Sequence, residues 1–379
     1  MWDNFSPNYR PLPPTVRNRF EFVGIIRGEL PSEKRETSDM NTTELSATAH
    51  AMVAKHRGLL AADESTSTIA KRFASIKLES TEENRRLYRE MLFTAPAVTD
   101  SISGVILYDE TLHQKTSDGV PFPTYLAKLG MIPGIKVDTG AKPLAGHPGE
   151  TITEGLDGLR ERLAGYYTAG ARFAKWRAVI DIGAGIPSAY AIDANAEALA
   201  RYAALCQEAS IVPIVEPEVL MDGNHTLARC EDVTNSVLDS VFSHLFAAGI
   251  FLEGMVLKPN MVIAGKKSAQ QASPEQVAEA TVRTLKRQVP SAVAGIAFLS
   301  GGQGPAEATL HLSLMNGAGP LPWPLTFSYG RALQETALSA WGGRPAAFTA
   351  GQKALAVRAK LNSLAAAGTY QSAMESSAA

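Results

Sequence analysis

Eight short apolar runs punctuate this 379-residue chain, and six of them stop on a charged residue. Gly58–Ala62 leads into Asp63, Ile132–Ile135 into Lys136, Arg172–Ala174 into Lys175, Ile211–Val215 into Glu216, and Leu252–Leu257 into Lys258. Gly104–Tyr108 leads into Asp109-Glu110, while Ala294–Leu299 and Leu325–Phe327 enter the turns Ser300-Gly301-Gly302 and Ser328-Tyr329-Gly330-Arg331. Runs of this length bounded by Gly and Pro read as buried strands. Helical periodicity fills the gaps, as in Asn195–Cys206, Ala280–Leu285 and Leu333–Leu338. Strands alternating with helices imply a parallel sheet, and eight is the number that closes it. The predicted fold is therefore α/β, a single-domain (β/α)₈ TIM barrel. A doubly wound sheet is the alternative, but no Gly-rich dinucleotide turn followed by an acid some twenty residues later is present.

A barrel gathers the C-terminal ends of its strands at one face, where active sites are built. Asp63, Lys136, Lys175, Glu216 and Lys258 are thus predicted to share a pocket. Lys258 is the most telling of them. An ammonium at the end of a buried run must desolvate, pair, or sit in a cavity, and desolvation or a neighbouring cation frees the amine to attack a carbonyl. A lone strand-end lysine could equally snorkel to the surface; the recurrence of charge at the other strand ends favours the pocket.

A formal net charge of -2 gives no electrostatic reason to expect nucleic acid as a partner, and no apolar run approaches the roughly 18–20 residues of a membrane span. Cys206 and Cys230 are too few for a disulfide framework or a thiolate zinc site, which fits a cytoplasmic protein. The seven histidines show no His-x-x-x-His spacing. His225, in the turn-like setting Asp222-Gly223-Asn224, reads as solvated. Metal-free chemistry is the expectation.

Residues 1–39 are rich in proline and carry no sustained period, so they read as an N-terminal extension that is disordered or absent from the native product. They contain no apolar signal core. From Met40, the expected start, Asn41 caps a helix that carries Leu45, Ala49, Met52 and Val53 on one face. The barrel is expected over 40–365, with a flexible tail over 366–379.

Seven strings, LLAADES, GIKVDTGAKPLAG, FAKWRAVI, IVPIVEPE, LEGMVLKPNM, FLSGGQ and TFSYGRALQ, resemble in order those of the class I (Schiff-base) fructose-bisphosphate aldolases, over roughly residues 43 to 370. The resemblance implies reversible cleavage of fructose 1,6-bisphosphate to dihydroxyacetone phosphate and glyceraldehyde 3-phosphate, with no cofactor beyond a covalent Schiff base on Lys258. It implies sugar bisphosphate and triose phosphates as ligands, and a homotetramer. By the same resemblance Lys258 forms the imine, Glu216 shuttles protons, Asp63 removes the hydroxyl proton that starts cleavage, and Lys175 positions the substrate hydroxyls. Glu218 and Arg177 would orient those lysines.

Two phosphates need two anion sites. Ser300, Gly301 and Gly302, with Ser328, Gly330 and Arg331, follow the last two strands, where barrels commonly bind phosphate. The second site, by resemblance, comprises Lys136, Ser65 and Thr68, with Lys71 and Arg72 nearby. A glycine pair after a strand is more often just a tight turn, and Lys71-Arg72 alone would be a solvated helix face. Ser67 and Thr68 depart from the glycine and serine common in relatives, and His56-Arg57 from Gly-Lys. The chain lacks the terminal tyrosine of eukaryotic relatives, its last being Tyr370; with its alanine-rich composition this points to a bacterial member. A transaldolase-like or deoxyribose-phosphate aldolase-like lyase would need only one phosphate site. A metal-dependent aldolase would lose activity to chelator, and a binding scaffold would not need Lys258, Glu216, Asp63 and Lys175 together.

Overall fold

Side chains alternate faces along a strand, so each strand of a barrel sends every second residue inward. In the computed structural model, which describes residues 40–378, that parity explains the molecule. Eight parallel strands close into a barrel: β1 (Gly58–Ala62), β2 (Ile102–Leu107), β3 (Ile132–Lys136), β6 (Phe173–Ile180), β7 (Val212–Val219), β8 (Val256–Leu257), β9 (Gly295–Phe298) and β10 (Leu325–Tyr329). β1 pairs with β2 on one side and β10 on the other, which seals the ring. Helices separate the strands and cover them from outside: Trp176 of β6, for example, is fully buried against Tyr202 of the helix Ala189–Glu208, with ring centroids 5.6 Å apart.

The inward positions of the lower barrel are hydrocarbon. Leu59, Ala61, Ile106, Phe173, Val212, Ile214, Val256 and Ala297 form one cluster, plugged from below by Leu45, Ala49, Met52 and Val53. Those four belong to the helix Thr42–Met52 and its C-cap, which begins at Asn41 as expected, the Asn41 side chain accepting from the Glu44 N–H at 3.1 Å. Close packing leaves no room for a side chain at Gly134, where a Cβ would lie 2.2 Å from the Phe173 ring.

Three features depart from the sequence expectations. β4 (Gly140–Pro143) and β5 (Thr151–Glu154) form an antiparallel hairpin between β3 and β6. β6 and β7 continue past Lys175 and Glu216 to Ile180 and Val219, so those two residues sit within strands, not at their ends. The segment after 366 is not loose in its described part: Tyr370 is buried, its hydroxyl donates to Glu375 at 2.7 Å, and Glu375 pairs with Arg358 at 2.6 Å, holding the short helix Met374–Ala378. Residues 1–39, expected as an extension preceding Met40, lie outside the described residues.

Candidate active site

The same inward parity that stacks hydrocarbon below delivers charge above. On β6 the inward series runs Phe173, Lys175, Arg177; on β7 it runs Val212, Ile214, Glu216, Glu218; on β8 it runs Val256 to Lys258. β1 adds Asp63 two residues beyond Ala61, and β3 adds Lys136 and then Asp138. These side chains line a cavity of about 770 Å³ at the C-terminal mouth of the barrel. All five residues placed in one pocket by the sequence are there.

Lys175 is the hub. Its Nζ lies 2.8 Å from Asp63 Oδ2, 3.5 Å from Glu216 Oε2 and 3.9 Å from Asp138 Oδ2, with the side chain only 4% exposed. Lys258 Nζ approaches the other oxygen of Glu216 at 3.3 Å, so one buried carboxylate lies between two ammonium groups. The Lys258 backbone is fixed by donation of its N–H to Val215 O at 2.8 Å. Burial alone would raise the Asp63 carboxyl; Lys175 and Lys258 outweigh it and hold Asp63 well below the usual carboxylate range. Burial would likewise lower Lys175, but Asp63, Glu216 and Asp138 overcome it and raise the ammonium above its ordinary value. Lys175 is thereby locked as a cation, suited to charge stabilisation and unsuited to nucleophilic attack.

Arg177 and Glu218, expected to orient the lysines, pair with one another through Arg177 Nε and Glu218 Oε2. Asp138 was missed as a site residue, although the same signal, a carboxylate just past an apolar run, marks it. Glu64 was missed too. Its carboxylate is buried and accepts from Arg72 Nη1 and, at 3.1 Å, from the fully buried Arg89.

Of the residues read as phosphate ligands, Ser65, Thr68, Arg72, Lys136, Ser300, Gly301, Ser328, Gly330 and Arg331 line the cavity, as does Lys71. Gly302 does not, yet it is not a generic turn residue. A Cβ on Gly301 would lie 2.4 Å from Met221 Cε, and one on Gly302, whose φ is +78°, 2.1 Å from Met221 Cγ. Glycine is needed there because the loop after β7 presses against this backbone. Ser328 Oγ is buried and has no hydrogen-bond partner among the described residues, leaving a donor for a ligand. Ser65 caps the helix Thr66–Ala74, accepting from Thr68 N at 3.4 Å. Arg72 stands closer to the Gly330 loop than the sequence suggested: its Nη2 would lie 3.5 Å from a Cβ on Gly330, and its Nη1 is 3.5 Å from Gln334 Oε1.

His225 corrects another expectation. It is 7% exposed, and neither ring nitrogen has a hydrogen-bond partner among the described residues, because the loop after β8 folds over it, with Gly265 N donating to His225 O at 2.8 Å. Burial lowers the affinity of its imidazole for a proton. Among the described residues no three His, Cys, Asp or Glu side chains converge as metal ligands.

A model of the family described as fructose-bisphosphate aldolase class-I matches residues 44–379. The chain belongs to the class I fructose-bisphosphate aldolases. It is 58% identical over 333 residues to a probable fructose-bisphosphate aldolase class 1 of Xanthomonas campestris, an alignment that covers 88% of this chain and 100% of the relative. A non-muscle type fructose-bisphosphate aldolase of Lethenteron camtschaticum is 52% identical over 89% of this chain and 93% of its own. The solved structure of Plasmodium falciparum aldolase, in complex with TRAP and a small-molecule inhibitor, superimposes with a TM-score of 0.86 at 49% identity, covering 87% of this chain and 96% of that one. As an aldolase the chain is a carbon-carbon lyase, and the family reaction is the reversible cleavage of fructose 1,6-bisphosphate. The cavity suits such a substrate electrostatically. Lys71, Arg72, Lys136, Lys175, Arg177, Lys258 and Arg331 make seven cations against five carboxylates, Asp63, Glu64, Asp138, Glu216 and Glu218, in a chain whose net charge is -2.

Proposed function

We propose that this aldolase works through an imine on Lys258, with Glu216 and Asp63 as its proton carriers and no metal. The observation that carries this reading is the position of the Glu216 carboxylate between Lys258, at 3.3 Å, and Lys175, at 3.5 Å. Glu216 takes a proton from the Lys258 ammonium at 3.3 Å, and the freed Nζ attacks the substrate ketone. The resulting carbinolamine loses its hydroxyl as water when Glu216 supplies a proton. The iminium nitrogen then serves as the sink for the electron pair released when the carbon-carbon bond breaks. Cleavage begins when Asp63 takes the proton of the hydroxyl on the departing aldehyde carbon. Its depressed pKa keeps it ionised and ready to accept, and Lys175 steadies both Asp63 and the developing oxyanion. Protonation and hydrolysis of the remaining enamine release dihydroxyacetone phosphate.

The phosphates are assigned to the two sides of the mouth: Ser300, Gly301, Ser328, Gly330, Arg331 and Arg72 on one, and Lys136, Ser65 and Thr68 on the other. Borohydride reduction in the presence of dihydroxyacetone phosphate and excess chelator, followed by peptide mass spectrometry, tests the reading. A reduced adduct on Lys258 supports it; an adduct elsewhere, or none on folded protein, sinks it. No helix among the described residues is long and apolar enough to cross a membrane. The reading extends to a cytoplasmic homotetramer, for which light scattering should give four times the mass of one chain.

A further inference from the structure

Like Glu64, and unlike Asp63 and Glu218, Asp138 has both carboxylate oxygens committed to hydrogen bonds within the protein. Oδ1 accepts from Lys136 Nζ at 2.5 Å, and Oδ2 accepts from the backbone N–H of Arg177 at 3.2 Å. Its side chain is 3% exposed. A carboxylate held in this way is unsuited to take a proton from substrate. It is well suited to hold a cation in place.

We infer that Asp138 is a positioning residue that aims Lys136 at the substrate. A lysine ammonium has three donors. Two of those on Lys136 go to Asp138, one to Oδ1 and one to its backbone carbonyl at 2.6 Å, leaving the third for a ligand in the cavity. The long side chain is thus fixed before substrate arrives, so that less rotamer freedom is lost on binding. The Arg177 N–H holds the carboxylate from the strand that also bears Lys175, tying the Lys136 ammonium to the same frame as the catalytic hub.

Asp138→Asn separates positioning from chemistry. An amide has one accepting oxygen and cannot serve both Lys136 and the Arg177 N–H. The expected result is a rise in KM for fructose 1,6-bisphosphate of about ten-fold, with a smaller fall in kcat. Lys136→Ala should do the same, and the double variant should be no worse than Lys136→Ala alone within about two-fold, because the two residues act as one unit. The inference rests on the Lys258 reading, so borohydride trapping of dihydroxyacetone phosphate is run on each variant. Trapping on Lys258 should stay within about two-fold of the parent, since the ketone-bearing triose is assigned here to the side of the mouth with Ser300 and Arg331, away from Lys136. No trapping in the parent would defeat the Lys258 reading itself. Normal trapping in the parent with effects that multiply in the double variant, or trapping that falls in step with cleavage, would overturn the role of Asp138. If Asp138→Asn melts as unfolded protein, Asp138→Glu, which keeps the charge but displaces it by one methylene, should show the same rise in KM. Failure of both to fold would mark Asp138 as structural and also overturn the inference.

Discussion

The lower and upper halves of the barrel interior are built by the same strands on the same face, yet they obey opposite rules. Below, Phe173, Ile214 and Val256 are held by dispersion and exclusion of water; above, two residues further along each strand, Lys175, Glu216 and Lys258 are held by one another. Hydrocarbon packing is non-directional and responds to volume. A buried charge cluster responds to the loss of any member, because the partner is left uncompensated. The lower half therefore supplies stability, while the upper half is organised for chemistry on a frame it does little to stabilise.

The largest expected effect falls on the upper half. Lys258→Met should lower kcat by about 10⁴-fold or more, since no other group can form the imine; substantial residual turnover in a stopped assay would contradict the division. Phe173→Ala should do the reverse, costing about 3–5 kcal/mol of stability in a urea melt while leaving KM near the parent value. Gly301→Ala is placed at the boundary. Its Cβ would meet Met221 and Glu218, so KM for the bisphosphate should rise about ten-fold through displacement of the phosphate loop; Met221→Ala in the same chain should recover part of that loss. The smallest effect concerns acid. Because the folded Asp63 binds its proton less readily than an unfolded aspartate, its contribution is fully present above about pH 4 and declines as pH falls below that value. The stability difference between the parent and Asp63→Asn should therefore narrow between pH 5 and pH 3 in denaturant melts, by on the order of 1 kcal/mol. A gap that widened instead would mean that Lys175 does not hold Asp63 ionised.

The barrel was legible because an apolar run and the polar or charged residue that ends it are both local signals, and eight such runs leave few closed topologies. The pocket followed from the fold. The hairpin β4–β5 carried no such signal: Gly140–Pro143 is mostly exposed and lacks an apolar face. The true lengths of β6 and β7 were hidden because their inward charges interrupt the apolar run, although the alternation continues through Arg177 and Glu218. Asp138 follows a lysine that already counted as the strand end, so it was passed over. His225 was misjudged for a different reason. The chain does bend at Gly223, but the loop that covers it comes from residues 264–267, and long-range cover of this kind has no local trace. The tail was likewise read from composition, whereas Arg358 and Glu375 fix it through a pairing across 17 positions.

Strict alternation along β6 has a consequence for how such a chain can change over time. Deleting one residue before Lys175 would turn its ammonium into the oily layer beneath the helices and swing Trp176 into the lumen, with every later residue of the strand inverted in the same stroke. Substitutions can be sampled one at a time; a change of length in these strands cannot. Insertions and deletions should accumulate where no parity is kept, as in the turn over residues 144–150, so that the spacing of the strands becomes a more durable inheritance than the letters that fill them.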